Sequence, residues 1–267
     1  MATEADGTIL VFLGLFQGVL EWLPVSSSGQ AVIFYSRLLG LNSLTSYELG
    51  IIAHLGTGLS GVVILYREVV DAIRGGIWLR IATIPLAISL PVGFTIDRYF
   101  SSIAIGYSFL VELVTGLLLL VTGLLLLTIA RIEGRRTVVD LTLKDLVIVG
   151  FLQGLSILPG LSRSAITITG YSILRLNSRD SVRASFFMGV PATLLAALYK
   201  LSTAGMNSSS VASTGLLVLI LSSFTAGLAS MWFMIKIGEK SREKIGLLLT
   251  IVGSIIVLLN IIPLLEM

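Results

Sequence analysis

Gly14-Leu15-Phe16-Gln17-Gly18-Val19-Leu20-Glu21-Trp22-Leu23-Pro24-Val25-Ser26-Ser27-Ser28-Gly29 decides how this chain reads, because the chain contains a second copy of it. The copy is Gly150-Phe151-Leu152-Gln153-Gly154-Leu155-Ser156-Ile157-Leu158-Pro159-Gly160-Leu161-Ser162-Arg163-Ser164. In each, an apolar segment carrying Gly-x-x-Gln-Gly runs into a proline and then into hydroxyls. Glu21 follows Gln17 by four residues, so on a helix the two share a face with Gly14 and Gly18. A carboxylate inside an apolar run is costly, and so is Arg163 in the second copy. Ionisable side chains at membrane depth are functional candidates for that reason.

The rest of the composition places both copies in a bilayer. Of 267 residues 55% are hydrophobic and 12% charged, with mean hydropathy +1.00. That leaves too little polar surface to cover a soluble fold. Long apolar runs exclude a transmembrane barrel, which would show short alternating segments. There is no cysteine and one histidine, which rules out disulfides and argues against a zinc site. Residues 1–7 are polar and acidic, without the basic start of a signal peptide, so the mature protein is expected to include residue 9 onward.

A crossing helix needs about 20 residues. Residues 9–22 and 29–41 are each too short and are separated by Pro24 and three serines. They read as a re-entrant hairpin, whose irregular backbone is tolerated where it lines a protein-buried or watered cavity. Spans follow at 49–66, 77–96 and 107–130, with charged loops at 67–74 and 97–98. The middle span carries Pro85 and Pro91, a place for a kink. After a charged connector at 131–145 the plan recurs: short legs at 146–158 and 165–176, then spans at 184–201, 214–236 and 245–262. Gly56 and Tyr66-Arg67 also match Gly189 and Tyr199-Lys200, at an offset drifting from 136 to 133.

The expected fold is therefore an all-α polytopic membrane protein forming one domain over 1–267. It has six transmembrane helices plus two re-entrant hairpins, arranged as an inverted-topology repeat of residues 8–130 and 144–265. Three basic residues (Arg37, Arg98 and Lys200) fall on the side of the N-terminus and fourteen on the other. With Arg163 these make up all 18. The positive-inside rule then puts both termini outside the cell membrane, and Glu21 enters from the outer face.

At the hairpin tips, Ser26–Ser28 and Ser162-Arg163-Ser164 open the second legs. Helix N-termini offer free N–H groups and positive dipole ends. Two of them with hydroxyls and an arginine fork describe a phosphate or pyrophosphate cradle. Glu21 and the Gln17 carbonyl are hard oxygen ligands for Mg²⁺ or Ca²⁺. Serine can attack phosphorus or orient it. Each feature also has a plainer use: serines cap helices, Gly14 and Gly18 pack helices, and His54 can be an interior histidine.

These residues resemble the undecaprenyl-pyrophosphate phosphatase family, membrane phosphatases that recycle a polyprenyl carrier lipid and are tied to bacitracin resistance. The family's Glu/Gln-x-x-x-Glu corresponds to Gln17 and Glu21, and its Pro-x-Ser-Ser-Ser-Gly to Pro24–Gly29. Its Pro-Gly-x-Ser-Arg-Ser-x-x-Thr is complete here as Pro159, Gly160, Ser162, Arg163, Ser164 and Thr167. The His-Leu-Gly-Thr at His54 also resembles a family pattern. The resemblance implies hydrolysis of a polyprenyl diphosphate to the monophosphate on the outer face, with a divalent metal. Glu21, Ser27, Arg163 and His54 are the expected catalytic residues. Ser26, Ser28, Gln30, Gly160, Ser162, Ser164 and Thr167 are the expected substrate contacts, and Gln17 with Glu21 the metal ligands. The chain departs from the family at Gln30, where histidine is common, and at Gln17, where glutamate is commoner. Expected partners are the lipid diphosphate and the bilayer, with no nucleic acid, in a monomer or homodimer. A transporter or flippase of polyprenyl phosphate is the other reading, since inverted repeats with half-helices are also transporter architecture.

Overall fold

The structure, a computed structural model, describes residues 7–23, 27, 43–104, 108–129, 132, 134–158, 160–203, 213–238 and scattered positions between 247 and 258. Among these residues there are nine α-helices and no strand. They are α1 (Gly7–Trp22), α2 (Ser43–Ile64), α3 (Tyr66–Ile73), α4 (Ile77–Ala104), α5 (Ser108–Ile129), α6 (Leu143–Leu155), α7 (Arg163–Ile173), α8 (Ser178–Thr203) and α9 (Ser213–Gly238).

The burial pattern is that of a protein dissolved in lipid. In α1 the buried stripe is Leu10, Leu13, Gly14, Gln17, Gly18, Glu21, at helical spacing. The opposite face exposes Val11, Phe12, Leu15 and Val19. A glutamine and a glutamate are inside while a phenylalanine is half exposed, the reverse of a soluble helix. Among the described residues three helices are long and apolar enough to cross a membrane: Ile77–Ile96, Ser178–Ser202 and Thr214–Lys236. The bent pair Leu49–Ile64 and Tyr66–Ile73 makes a fourth if counted as one span.

Small residues set the packing partners. α1 lies on α9, α6 lies on α4, and α2 and α8 cross between them, with α2 also touching α9 and α8 touching α4. A Cβ on Gly18 would come within 2.5 Å of the Ser223 carbonyl oxygen and 2.7 Å of Ala226 Cβ. A Cβ on Gly154 would come within 2.6 Å of Val92 Cβ. These backbones touch because glycine lets them. Serine hydroxyls then tie the helices together. Ser230 donates to the Gly18 carbonyl at 2.7 Å and Ser223 to the Ala53 carbonyl at 2.8 Å, while Gln153 Nε2 donates to Ser89 Oγ at 2.9 Å.

α6 and α7 form a tight hairpin. At 1.5 Å per residue their 13 and 11 residues reach about 20 and 17 Å, short of a hydrocarbon core of about 30 Å. Thr142 caps α6 with a capping box to Asp145, and Gly160, at φ +92°, turns the chain at the tip. Gly170 returns against Val149 and Leu152.

The structure corrects several boundaries. The loop expected at 67–74 is helical as far as Ile73. The span expected at 49–66 ends at Ile64, and α3 leaves it at 83°. The cause is the polar run beginning at Arg67, which cannot continue into hydrocarbon. α3 instead lays Glu68, Val69 and Ala72 inward, and Glu68 Oε1 accepts from Arg183 Nε at 2.7 Å. Asp97-Arg98 is not a loop either, since α4 runs through both prolines to Ala104. In the connector a short 3₁₀ turn forms at Val138–Asp140, and Arg136 donates to the Leu174 carbonyl at 2.9 Å and to Asp145 at 2.6 Å. The leg expected at 29–41, most of the span at 245–262, and Pro159 lie outside the described residues.

Candidate active site

Glu21 ends α1, and Arg163 is the first residue of α7, 142 positions later. Packing brings them together: Arg163 Nη2 donates to Glu21 Oε1 at 2.6 Å. The glutamate is buried and the arginine nearly so. The other carboxylate oxygen, Oε2, accepts from Gln17 Nε2 at 3.1 Å and from Ser27 Oγ at 3.1 Å, and lies 3.2 Å from His54 Nδ1. Gln17 Nε2 is also 3.1 Å from His54 Nδ1. With its proton on Nδ1 the ring donates to Glu21; without it, the ring accepts from Gln17. One carboxylate therefore gathers four expected site residues from α1, α2, α7 and the middle of the serine run.

Local structure fixes the arginine. Ser162 caps α7, its Oγ accepting from Ala165 N at 3.4 Å, so Arg163 starts the helix with its side chain free to reach across. Nη1 donates to the Gly189 carbonyl of α8 at 2.8 Å. The guanidinium sits over the Trp22 ring, 5.7 Å from its centroid. Ser164 Oγ donates to the Leu23 carbonyl at 3.3 Å, so the two motif ends meet through the backbone as well.

The remaining expected contacts divide. Ser162 and Ser164 are buried within 3.2 Å of each other. Thr167 is buried as well, its hydroxyl within reach of the Arg163 carbonyl at 2.8 Å, the Ser164 carbonyl at 3.3 Å and Ser185 Oγ at 2.6 Å. Gly160 supplies the positive-φ turn before the cap. Ser26, Ser28 and Gln30 lie outside the described residues. Sequence reasoning missed Trp22 and the Gly189 carbonyl. The one available signal was the place of Trp22 beside Glu21.

Among the described residues no three histidine, aspartate or glutamate side chains converge as a metal cage. Gln17 Oε1 is buried without a hydrogen-bond partner among the described residues. An orphaned carbonyl oxygen next to a carboxylate is a costly arrangement unless something positive or protic meets it.

Fold and site define an integral helical membrane protein with its charged centre sealed between two equivalent motifs. A family model described as Bacitracin resistance protein BacA matches residues 10–256, and the chain belongs to that family. It is 33% identical over 240 residues to an undecaprenyl-diphosphatase of Carboxydothermus hydrogenoformans, covering 87% of this chain and 88% of that one. An undecaprenyl-diphosphatase of Methanopyrus kandleri is 32% identical over 248 residues, covering 86% and 88%. One of Thermosipho africanus is 29% identical over 251 residues, covering 88% and 92%.

Proposed function

We propose that this chain hydrolyses a polyprenyl diphosphate of the undecaprenyl type to the monophosphate and inorganic phosphate, recycling a carrier lipid. The observation that carries the reading is the Glu21–Arg163 pair, which joins the two halves of the chain at one buried point. The phosphatase names of the relatives favour hydrolysis over transport of the same lipid.

In the reaction a water oxygen bonds to the terminal phosphorus and the bridging P–O bond breaks, so charge grows on the phosphoryl oxygens. Arg163 has five N–H donors, two of them used on Glu21 and Gly189. The other three are uncommitted among the described residues, and a diphosphate would take donors from these together with the one it wins from Glu21. Ser27, held by Glu21, orients the phosphate for attack by water; in the alternative in which its own oxygen attacks first and expels the lipid monophosphate, water then cleaves the phosphoserine to inorganic phosphate. His54 and Gln17 hold the carboxylate in place.

Glu21 and Gln17 Oε1 fit a hard divalent cation, Mg²⁺ or Ca²⁺, which binds through one or two oxygen side chains and completes its shell with water and phosphate. Bound there, such an ion would neutralise phosphate charge and acidify water. When substrate enters, the fork of Arg163 exchanges Glu21 for phosphate oxygens.

The architecture we propose is the inverted repeat of 8–130 and 144–265 with two re-entrant hairpins. Its support is the crossed packing, α1 on α9 and α6 on α4, with Gly14 and Gly18 facing one partner as Gly150 and Gly154 face the other. Both termini then lie outside. Hydrogen bonds from Arg183 to Glu68, Val138 to Asp180 and Arg136 to Leu174 gather α3, the connector and the start of α8 at one end, rich in basic residues. By charge this is the cytoplasmic end.

The test is phosphate release from undecaprenyl diphosphate by the purified chain with Mg²⁺. No release in any detergent or lipid, from protein that binds the substrate, would refute hydrolysis and favour transport.

A further inference from the structure

Arg163 is a long side chain reaching into a site from a helix start, and such a group is useful only if its plane is held. Three contacts hold it. Glu21 takes Nη2, the Gly189 carbonyl takes Nη1, and the indole of Trp22 lies under the guanidinium. The first is expected to change partners when substrate binds. The other two are not part of the charge exchange.

Trp22 is itself seated with care. It is fully buried, and its Nε1–H donates to Ser60 Oγ at 3.2 Å, while Ser60 Oγ donates to the Thr57 carbonyl at 2.6 Å. Its ring tilts against Phe186 with centroids 5.5 Å apart. Gly61 leaves room for it, since a Cβ there would come within 3.2 Å of the ring. On the other side, a Cβ on Gly189 would fall 2.7 Å from Arg163 Cζ, so any larger residue there would make the guanidinium shift from this place. An indole fixed by its own hydrogen bond, with a cation over its face and no side chain opposite, is more than core filling. Ordinary core filling needs neither the hydroxyl nor the bare glycine.

We infer that Trp22 is a positioning residue for phosphate binding: hung from Ser60 beneath the guanidinium, and with the Gly189 carbonyl taking Nη1, it keeps Arg163 in one plane while Glu21 lets go. The inference rests on the hydrolase reading in that it assigns Arg163 to the diphosphate. An arginine on a rigid platform loses less freedom per hydrogen bond formed than a loose one. The cation–π attraction adds to this where the contact is shielded from water.

A double-mutant cycle tests it, because residues acting through each other are not additive. Binding of methylenediphosphonate to the full chain in detergent is measured by calorimetry in EDTA. Trp22→Leu should weaken binding about tenfold, as expected for a partly desolvated cation–π contact. Trp22→Phe keeps a ring and should lose about threefold or less. In an Arg163→Lys background, which has already lost the planar fork, Trp22→Leu should change binding less than about twofold. Ser60→Ala removes only the hook, so it reads the same coupling if the leucine variant does not fold: weaker binding with Arg163 present and no change with Lys. Equal losses in both backgrounds, or no loss in either, would overturn the inference. The cycle is separable from the proposed reaction. A wild type that binds but releases no phosphate overturns the hydrolase reading alone. One that hydrolyses with an additive cycle overturns the frame alone.

Discussion

Replacing Glu21 by glutamine should move binding and turnover in opposite directions. The carboxylate accepts from Arg163 at 2.6 Å with both side chains largely shielded, 5% and 18% exposed. Breaking a buried pair by deleting one partner costs about 3–5 kcal/mol. Glutamine keeps an acceptor oxygen, so the lower end, about 3 kcal/mol of stability, is expected. A diphosphate entering without metal must take Arg163 from Glu21. A charge-assisted hydrogen bond contributes about 1.5–3 kcal/mol and a neutral one about 0.5–1.5 kcal/mol. Weakening the competitor by roughly 1.4 kcal/mol should therefore tighten diphosphate binding about tenfold. Turnover should fall about 10²–10⁴-fold, as for other acid–base and charge-handling groups, and its response to Mg²⁺ should flatten. The assays are methylenediphosphonate calorimetry in EDTA, phosphate release with Mg²⁺, and thermal unfolding in the same detergent. Turnover within tenfold of wild type would refute a chemical role for Glu21. Unchanged or weaker metal-free binding would refute the competition.

Arg163→Lys should be nearly as inactive as Arg163→Ala, because an ammonium cannot span two phosphate oxygens; near-normal phosphate release would remove Arg163 from the reaction. Gly18→Ala puts a methyl 2.5 Å from the Ser223 carbonyl oxygen and should destabilise by about 1–3 kcal/mol, read as a lower unfolding midpoint. His54→Asn should lower kcat less than about tenfold, since a side chain that steadies Glu21 is replaceable by an amide, and Gln30→His should be tolerated. Complete loss in folded His54→Asn, followed across the pH–rate profile, would make the histidine the base. Asp140 is held below the usual carboxylate range, first by the Thr137 backbone N–H, then by the Thr137 hydroxyl and the Arg136 charge. Its contribution is full above the unfolded value of about 4 and is lost as pH falls through the lower folded value. Asp140→Asn should abolish that acid-dependent loosening of the connector, measured by hydrogen exchange.

Much of the site was readable because charge in an apolar run is hard to explain otherwise. Glu21 and Arg163 stood out singly, and the repeat paired them before any contact was known. Gly14, Gly18, Gly150 and Gly154 were legible as packing faces from spacing alone, and Ser162 as a cap. The elbow at Leu65 was not. The charges from Arg67 onward read as a loop, and their folding into a helix is bound up with Glu68 meeting Arg183, 115 residues away. Thr167 fits its motif by spacing, yet spacing cannot tell a hydroxyl facing the site from one bonded to Ser185. Trp22 reads as one more aromatic until the guanidinium above it and the hydroxyl beside it are seen.

The crossed packing has a consequence for how the chain is made. α1 leaves the ribosome first, but its partner α9 starts at Ser213, 191 residues after Trp22. At about 5–20 residues per second the wait is roughly 10–40 s. Throughout it Gln17 and Glu21 have no finished pocket, and α1 is too short to hold itself across the bilayer. The nascent first half must be sheltered by the insertion machinery, or left at the headgroup layer, until about the last fifth of the chain arrives. Chains halted before α9 would expose an acidic half-helix to lipid, a ready mark for membrane quality control.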